Sequence, residues 1–381
     1  MRHHTTKRDF PFVKEPVKFD KDTEKSLLQY CLGATLYMPG TKSVVGKILA
    51  RRLDDLSSMV FCLEDAIEES ALAAAETNVL VQLNEIANAL KSNLIARSEV
   101  PLIFIRVRNT DQFIKFSNLL TIEQADALTG FVFPKFYSNN AYIYLEQLGE
   151  LNLKLGILLY GMPILEGRTI AFRESRVDEL NMLKTVLKPF RKWILNIRVG
   201  GTDFSSLFGV RRGINSSIYD ILPVRDCLSD ILNYFNRAED GYIVSAPVWE
   251  YFLAYVDENL EHLLSEDIHR SLLNRNPIVN EAIDGLLREV LIDKANGFVG
   301  KTVIHPSHLK YVNAMQAITA EEYEDALQIL EAEGGVVKSA KANKMNEISP
   351  HRNWAKKINS CAQAYGVIES ETDYIKLILE P

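Results

Sequence analysis

The sequence lacks a hydrophobic run long enough to cross a membrane. Its longest apolar stretch, residues 155–165, is interrupted by glycine and proline and is about half the length that a bilayer crossing requires. No apolar signal core occurs in the first residues, which read MRHHTTKRDFPF. We therefore expect a soluble protein that does not bind membranes.

Cysteine and positive charge are also scarce. The four cysteines, Cys31, Cys62, Cys227 and Cys361, are far apart and form no CxxC motif or zinc-binding spacing. Because disulfides depend on the redox compartment, this usage favours reduced thiols in a cytoplasmic protein. Lys and Arg total 43 against 50 Asp and Glu, so the net charge is −7. We expect no nucleic-acid partner, since there is no basic surplus to attract phosphates.

The sequence does contain a regular alternation of short apolar runs with longer segments of helical pattern. Most runs are apolar throughout, as expected for parallel strands that are covered on both faces. Eight runs joined by crossover helices favour a closed (β/α)8 TIM barrel over an open doubly wound sheet. Strands are predicted at 34–38, 58–63, 102–107, 130–133, 155–160, 193–199, 241–245 and 302–304. Helices are predicted at 43–56, 69–91, 110–119, 139–151, 174–187, 217–236, 320–333 and 354–365.

We divide the chain into an N-terminal arm, a TIM-barrel catalytic domain and a C-terminal helical extension, at residues 1–29, 30–316 and 317–381. Pro11 and Pro16 block helix formation in the arm, which we expect to be loose or to order on contact. Residues 247–300 form an enlarged last connection with two or three helices. The extension is too small for a core of its own, so we expect it to pack on the barrel mouth or on a neighbouring subunit.

Charged side chains gather at the predicted C-terminal ends of the strands, which is where TIM-barrel active sites form. The candidates, in strand order, are Lys42, Glu64, Asp65, Arg106, Arg108, Lys135, Glu166, Asp203 and His305. Several acids without a Cys/His cluster suit a hard, oxygen-preferring ion such as Mg²⁺.

Each candidate also has a purely structural interpretation. The acids after strands two and six could cap the helices that follow, and Glu166 could form a surface ion pair with Arg168. Arg106 could be the buried partner of a neighbouring acid. His305 could be a core histidine, and Lys42 could be a solvated loop charge. The coincidence of so many charges on one rim favours a functional site.

Four segments carry a family resemblance, and they occur in the expected order. They are LYMPGTK at 36–42, MVFCLEDAIEES at 59–70, RVGGTDFSSLFGVRR at 198–212 and GFVGKTVIHPSHLKYVNA at 297–314; LIFIRVRN at 102–109 fits an arginine-bearing strand. They resemble the citrate lyase beta-subunit family, within the wider HpcH/HpaI aldolase group of carbon–carbon lyases. The chain is identified as a divergent member of that family.

The resemblance implies a Mg²⁺ ion held by a glutamate after the fifth strand and an aspartate after the sixth. These match Glu166 and Asp203. The family glutamate stands almost directly on its strand, so we interpret Glu166 as displaced along an altered loop. Glu64 and Asp65 would accept hydrogen bonds from water molecules around the ion.

The resemblance also implies cleavage or formation of a carbon–carbon bond next to a carbonyl, in a small carboxylic acid or its CoA thioester. Arg106 would bind a carboxylate through two hydrogen bonds. Glu347 stands where the family has an aspartate that reaches a neighbouring subunit, so we expect a homo-oligomer, a trimer by resemblance. The candidate catalytic residues are Arg106, Glu347 and Asp65; the candidate substrate-binding residues are Arg106, Lys42, Lys135 and His305.

Two other functions stay open at this point. The displaced Glu166, the replacement of the family aspartate by Glu347 and the charged N-terminal arm favour a binding or regulatory protein that keeps the barrel without turnover. A metal-assisted acyl-CoA thioester hydrolase, in which water attacks the thioester, is a third possibility.

Overall fold

Eight parallel strands form a barrel in the computed structural model, which describes residues 1–7, 9–53, 55–252, 279–339 and 344–379. Neighbouring strands pair in the order β7-β6-β5-β4-β3-β2-β1-β8, and a parallel bridge from Ala246 to Lys301 closes the ring. The predicted TIM barrel is therefore confirmed. The strands are β1 Ala34–Pro39, β2 Ser58–Cys62, β3 Leu102–Arg106, β4 Gly130–Phe133, β5 Tyr160–Leu165, β6 Ile197–Val199, β7 Val244–Ser245 and β8 Lys301–Val303.

Helices surround the barrel and continue past its last strand. None of the helices in the described ranges is long and apolar enough to span a membrane. The part of the enlarged last connection between residues 253 and 278 lies outside the described residues. The α-helices are Lys25–Leu28, Val45–Leu49, Leu72–Lys91, Thr110–Ser117, Ile122–Asp126, Ser138–Leu155, Arg168–Ala171, Arg173–Leu187, Gly201–Leu207, Leu222–Phe235, Glu281–Ala295, Leu309–Ala314, Ala320–Glu331, Ile348–Tyr365 and Asp373–Leu379.

The strands are apolar on both faces because each face is covered. Met59 and Phe61 of β2 pack into the layer between strands and helices, whereas Val60 packs with Phe104 and Val132 in the barrel interior. Successive residues point to opposite faces, and both faces are apolar. The run is therefore apolar throughout, which is the pattern from which the parallel barrel was predicted.

The prediction for the fifth strand is wrong by five residues. Helix Ser138–Leu155 continues to the residue where a strand was predicted to begin, and it ends at Gly156 in the left-handed conformation (φ 66°). β5 then runs from Tyr160 to Leu165 and contains Gly161 and Pro163. Both residue types are unusual inside strands, and this hides β5 in the sequence. The consequence is that Glu166 directly follows its strand and is not displaced along a loop.

Other predicted elements are shortened or extended. The helix predicted at 43–56 is only Val45–Leu49, because Arg51 and Asp55 adopt left-handed backbone angles (φ 54° and 61°) that a helix cannot continue through. The polar segment predicted between the last helices contains an antiparallel hairpin, Val336–Lys338 with Met345–Glu347, and the following helix begins already at Ile348.

Both ends of the described chain pack beneath the barrel, at the N-terminal ends of the strands. The Tyr365 hydroxyl accepts from the Gly33 amide at 3.0 Å and donates to the Tyr30 carbonyl at 2.6 Å. The Val13 amide donates to the Val367 carbonyl at 2.9 Å. Within one chain, the C-terminal extension therefore covers the floor of the barrel and not its mouth.

Candidate active site

Arg106 lies at the centre of a charged cluster at the barrel mouth. It is the last residue of β3, and one nitrogen, Nη2, contacts three carboxylates: Glu64, Asp65 at 3.0 Å and Glu166 at 3.5 Å. Arg106 is thus the buried ion-pair partner of the acids after β2, as its purely structural interpretation predicts. Arg106 makes no hydrogen bond through Nη1 to the described residues, so this nitrogen is available to a ligand, whereas Nε is buried and has no partner.

Lys135 joins the acids through both its side chain and its backbone. Its Nζ lies 2.8 Å from Glu64 and 3.5 Å from Asp203, and its amide donates to Glu166 Oε1 at 2.8 Å. The backbone of Lys135 is left-handed (φ 44°), a conformation that costs a non-glycine residue roughly 1–3 kcal/mol. That strained conformation directs the amide toward Glu166.

Glu166 and Asp203 converge on Gly200, which lies between β6 and the next helix. A Cβ atom at Gly200 would lie 2.6 Å from Glu166 Oε2 and 3.2 Å from Asp203 Oδ2, so a single methyl group would touch both carboxylates. Asp203 is in the first turn of helix Gly201–Leu207. The N-cap residue of this helix is Gly200, and no side chain accepts a capping hydrogen bond there. Asp203 therefore does not act as the helix cap that its structural interpretation proposes.

The acids of the cluster have different electrostatic surroundings. Burial raises the pKa of Glu166 to about 8, because Arg106 offsets the desolvation only in part and Asp203 adds a second negative charge. Burial also raises the pKa of Glu64. Asp65 is more exposed; desolvation acts against its charge, but Arg106 and Glu64 outweigh it and lower the pKa of Asp65. Of Glu64, Asp65 and Glu166, Asp65 is therefore the most readily ionised.

Arg106 and Lys135 keep their positive charges. Desolvation acts to lower the pKa of Arg106, but the carboxylates of Glu166 and Glu64 outweigh it and raise the pKa. The same balance, with Glu64 as a hydrogen-bond partner, raises the pKa of Lys135. Lys135 is thus suited to bind an anion and unsuited to act as a base near neutral pH.

The carboxylates beside Gly200 have the chemistry of a magnesium site. Glu166 follows β5 and Asp203 lies in the helix after β6, and their oxygens face the space that the missing side chain of Gly200 leaves open. The described residues contain no group of three or more His, Cys, Asp or Glu arranged to hold a metal. Mg²⁺ is commonly held by only one or two carboxylates, with water and substrate as its other ligands, so Glu166 and Asp203 fit such an ion.

Not every predicted site residue joins the cluster. Lys42 is exposed, and its carbonyl is held by Gln82 Nε2 at 3.0 Å. His305 caps a short 3-10 helix through Ser307 and stacks on Phe252, with ring centroids 4.4 Å apart. Neither forms a hydrogen bond or ion pair with the acids of the cluster in the described part of the chain, so the substrate-binding role of each is still a prediction.

Glu347 and Arg108 also lie outside the cluster. Glu347 is exposed at the end of the Met345–Glu347 strand, in the extension beneath the barrel. Its predicted role in a neighbouring subunit is untested by a single chain. Arg108 turns away and binds Glu69 at 2.7 Å and the Ile67 carbonyl at 2.6 Å, which fixes the loop after β2.

Two interior side chains were missed by the sequence analysis. Arg198 of β6 is 1% exposed and lies over the ring of Tyr37, with the guanidinium 5.5 Å from the ring centroid. The signal for Arg198 is present in the sequence, because an arginine inside the apolar run WILNIRV is as unusual as Arg106 in LIFIRV.

A cavity of about 770 Å³ lies at the opposite end of the barrel, where Arg2, Lys18 and Glu99 contribute to its lining. It contains none of the predicted site residues. We assign the candidate site to the mouth because the paired acids, the buried arginine and the strained lysine all lie there.

The fold and the mouth together define a class: a TIM-barrel protein whose charged residues follow the C-terminal ends of the strands, the location used by enzymes of this fold. The chain belongs to the family of carbon–carbon bond lyases of the TIM-barrel fold, whose sequence model matches residues 26–367. The predicted lyase group is thereby confirmed at the level of this family. Assignment to the citrate lyase beta-subunit family in particular is still a prediction.

Solved structures with the same fold include the Haloferax volcanii malate synthase magnesium/glyoxylate complex, at 12% identity over 91% of this chain and 97% of that chain, with a TM-score of 0.51. The protein CitE from Mycobacterium tuberculosis, in complex with magnesium, acetoacetate and coenzyme A, is 18% identical over 88% of this chain and 99% of that chain, with a TM-score of 0.46. At 12% identity, the likeness to the malate synthase supports the fold alone. Comparison with curated proteins gives no significant match.

Proposed function

We propose that this protein is a Mg²⁺-dependent carbon–carbon lyase of the retro-aldol or retro-Claisen type, acting on a small carboxylic acid or its CoA thioester. The observation that carries the proposal is the convergence of Glu166 and Asp203 on Gly200 beside Arg106. The position of Glu166 directly after β5, where the related lyases have their glutamate, also supports the proposal.

The residues of the mouth would have separate roles in binding the metal, binding the substrate and balancing charge. Glu166 and Asp203 would hold the divalent cation, which when bound would polarise the substrate carbonyl and offset negative charge on its oxygen. Arg106 would orient a substrate carboxylate through Nη1. Lys135 would stay protonated and balance the charge of the acids and substrate.

Bond cleavage also requires proton transfers. A base removes the proton of the substrate hydroxyl, the carbon–oxygen bond becomes a carbonyl, and the electron pair of the broken carbon–carbon bond forms an enolate that later takes up a proton. Asp65 is ionised and half-exposed at the mouth, so it can accept or return a proton there. Glu347 from a neighbouring chain is the second candidate for this role.

Metal titrations test the ligand assignment. Asp203→Asn and Glu166→Gln keep the side-chain volume and remove the charge, so we expect each to weaken Mg²⁺ binding by roughly 10- to 100-fold or more in calorimetry. Glu69→Gln is the matched control, because this acid lies at the same end of the barrel but binds Arg108 outside the cluster. Unchanged Mg²⁺ affinity in both cluster variants would exclude these ligands.

Hydrogen exchange tests the chemistry separately. With Mg²⁺ in D₂O, we expect the wild-type protein to exchange the methyl protons of pyruvate, followed by NMR, and Asp203→Asn to lose this exchange. No exchange across a panel of oxo acids and thioesters would favour the binding or regulatory role. Release of free coenzyme A without an oxo-acid product would favour the thioester hydrolase.

A further inference from the structure

Arg198 is a buried cation without a carboxylate partner. Its Nη1 donates to Thr35 Oγ1 at 3.3 Å and its Nη2 donates to Thr302 Oγ1 at 2.6 Å. Its Nε is buried and has no hydrogen-bond partner. The guanidinium therefore contacts only hydroxyl groups and the ring of Tyr37 among the described residues.

The other buried arginines in the described part of the chain are all paired with acids. Arg106 contacts Glu64, Arg176 contacts Asp230 at 2.8 Å, and Arg212 contacts Glu250 at 2.9 Å. The remaining buried arginine is Arg198. Because an uncompensated buried charge costs several kcal/mol, its environment calls for an anion that the chain itself does not supply.

The guanidinium lies in the barrel interior, on the path from the mouth. Its hydrogen bonds run from β6 to β1 and β8, and since β7 lies between β6 and β8, they must cross the interior. Thr302 is partly exposed between two buried residues of β8, and Tyr37 is the first partly exposed residue of β1. Solvent therefore reaches two of the side chains that surround the Arg198 guanidinium, which is itself 1% exposed.

Arg198 also lies close below the acid cluster. In the β5–β6 pairing it stands opposite Ile164, two residues before Glu166. Residues two apart along a strand point to the same side, so Glu166 follows one step above Arg198 on the inner wall. A small molecule held by Arg106 at the mouth can thus extend toward Arg198.

We infer that Arg198, Thr302 and Tyr37 form a second anion subsite, which binds a carboxylate at the end of the substrate opposite to the one held at the metal and Arg106. The inference deepens the proposed function and rests on it for the position of the first carboxylate. With this second subsite, the expected substrate is a small acid with two carboxylates. The planar guanidinium suits a carboxylate, since two parallel hydrogen bonds can form.

A matched pair of ligands tests the subsite without requiring turnover. 2-Hydroxysuccinate and 2-hydroxybutyrate both have four carbons and a 2-hydroxy acid group, and they differ in a terminal carboxylate against a methyl group. In calorimetry with Mg²⁺, we expect the wild-type protein to bind 2-hydroxysuccinate about tenfold or more tightly than 2-hydroxybutyrate, because hydrogen bonds between charged groups are the stronger kind.

Variants then show which residues cause the preference for 2-hydroxysuccinate over 2-hydroxybutyrate. Arg198→Met should bring the affinity ratio close to one and leave 2-hydroxybutyrate binding unchanged, and Thr302→Val should reduce the ratio in part. Arg108→Met removes an arginine at the same end of the barrel that points outward, so its ratio should equal that of the wild type. Thermal melting verifies that each variant is folded.

A wild-type ratio near one overturns the subsite, whether or not Arg198→Met folds. So does a high ratio that survives in folded Arg198→Met and Thr302→Val. Because binding is measured and not turnover, a ratio that depends on Arg198 supports the subsite even if carbon–carbon cleavage is never detected. Conversely, proton exchange without any ligand preference leaves the proposed function standing and removes only the subsite.

Discussion

The carboxylates of Glu166 and Asp203 both lie beside Gly200, and there is room for them because Gly200 has no side chain. An added Cβ would lie 2.3 Å from Glu166 Cβ and 2.6 Å from its Oε2, closer than atoms in a folded protein pack. The φ angle of Gly200 is −99°, which any residue can adopt. The need for glycine here is therefore one of space and not of backbone conformation.

Gly200→Ala should displace Glu166 and weaken Mg²⁺ binding by about 10- to 100-fold, the range found when the orientation of a metal ligand is disturbed. Calorimetric titration with Mg²⁺ measures the change. Gly46→Ala is the matched control, because a Cβ at Gly46 meets no atom within 4 Å. Wild-type affinity in Gly200→Ala would show that the ion binds elsewhere.

Individual site residues could be predicted where one residue type was out of place in its segment. Arg106 inside an apolar run and acids directly after strands are such signals, and the structure brings Arg106, Glu64, Asp65, Lys135 and Glu166 into contact. Whether a buried arginine has a carboxylate partner cannot be read from the sequence. That Arg198 lacks a carboxylate while Arg106 has three neighbours is visible only in three dimensions.

At the scale of elements, the eight strands were predictable in number and order but not in extent. Strands covered on both faces read as continuous apolar runs, and an apolar run can equally end a buried helix. Residues 155–160 show this ambiguity, since Leu155 ends a helix and Tyr160 begins β5. The error moved Glu166 from a strand end into a loop and thereby changed the interpretation of the site.

A buried charge network ties the helix that precedes β8 to its neighbours. Glu289, on helix Glu281–Ala295, binds Lys301 of β8 at 2.9 Å, accepts from the Ile218 amide at 2.9 Å and contacts Arg212. Lys301 also binds Asp293 at 2.8 Å. Such a network holds three elements in one arrangement, because breaking a buried pair leaves an uncompensated charge.

Glu289→Gln should destabilise the protein by about 3–5 kcal/mol, since Arg212 and Lys301 each lose a buried carboxylate partner. The shift of the urea unfolding midpoint, followed by tryptophan fluorescence, measures the change. In the exposed pair of Glu69 and Arg108, Glu69→Gln should cost less than about 1 kcal/mol. Equal midpoints for the two variants would contradict a stabilising role for the network.

At the scale of the whole molecule, the described N-terminal residues and the C-terminal extension close the floor of the barrel together. The His3 ring packs on Tyr365 with centroids 4.4 Å apart, and Lys14 bridges to Val367. The sequence predicts an N-terminal arm and a C-terminal helical extension, but it does not predict that these two segments contact each other. Contacts between residues more than 300 positions apart leave no local pattern, and the apolar surface they cover is equally compatible with the mouth or another subunit.

The floor should be sensitive to acid. Burial lowers the pKa of His3 to about 4 and lowers the pKa of His4 well below its usual value. The unfolded chain, with histidine pKa near 6.5, binds these protons more readily than the folded chain. Stability is therefore complete above about pH 6.5 and is lost as the pH falls toward 4, by about 1 kcal/mol per histidine at pH 5.5.

Thermal melting between pH 7.5 and 5.5 measures this loss. His3→Gln keeps a group that can hydrogen-bond to the Cys31 carbonyl, as His3 does at 2.9 Å, but it does not titrate. Its melting temperature should fall less on acidification than that of the wild type. An equal fall in both proteins would assign the acid sensitivity to other groups.

The location of the acids beyond the strands has a consequence for how this barrel can change. Glu64, Lys135, Glu166 and Asp203 each follow the last residue of their strand, so they belong to the connections and not to the hydrogen-bonded ladder. Loops of this kind can be exchanged between related barrels without disturbing the ring beneath them. A new specificity could be transplanted loop by loop, whereas Arg106 and Arg198, which are built into the ladder, would stay with the scaffold.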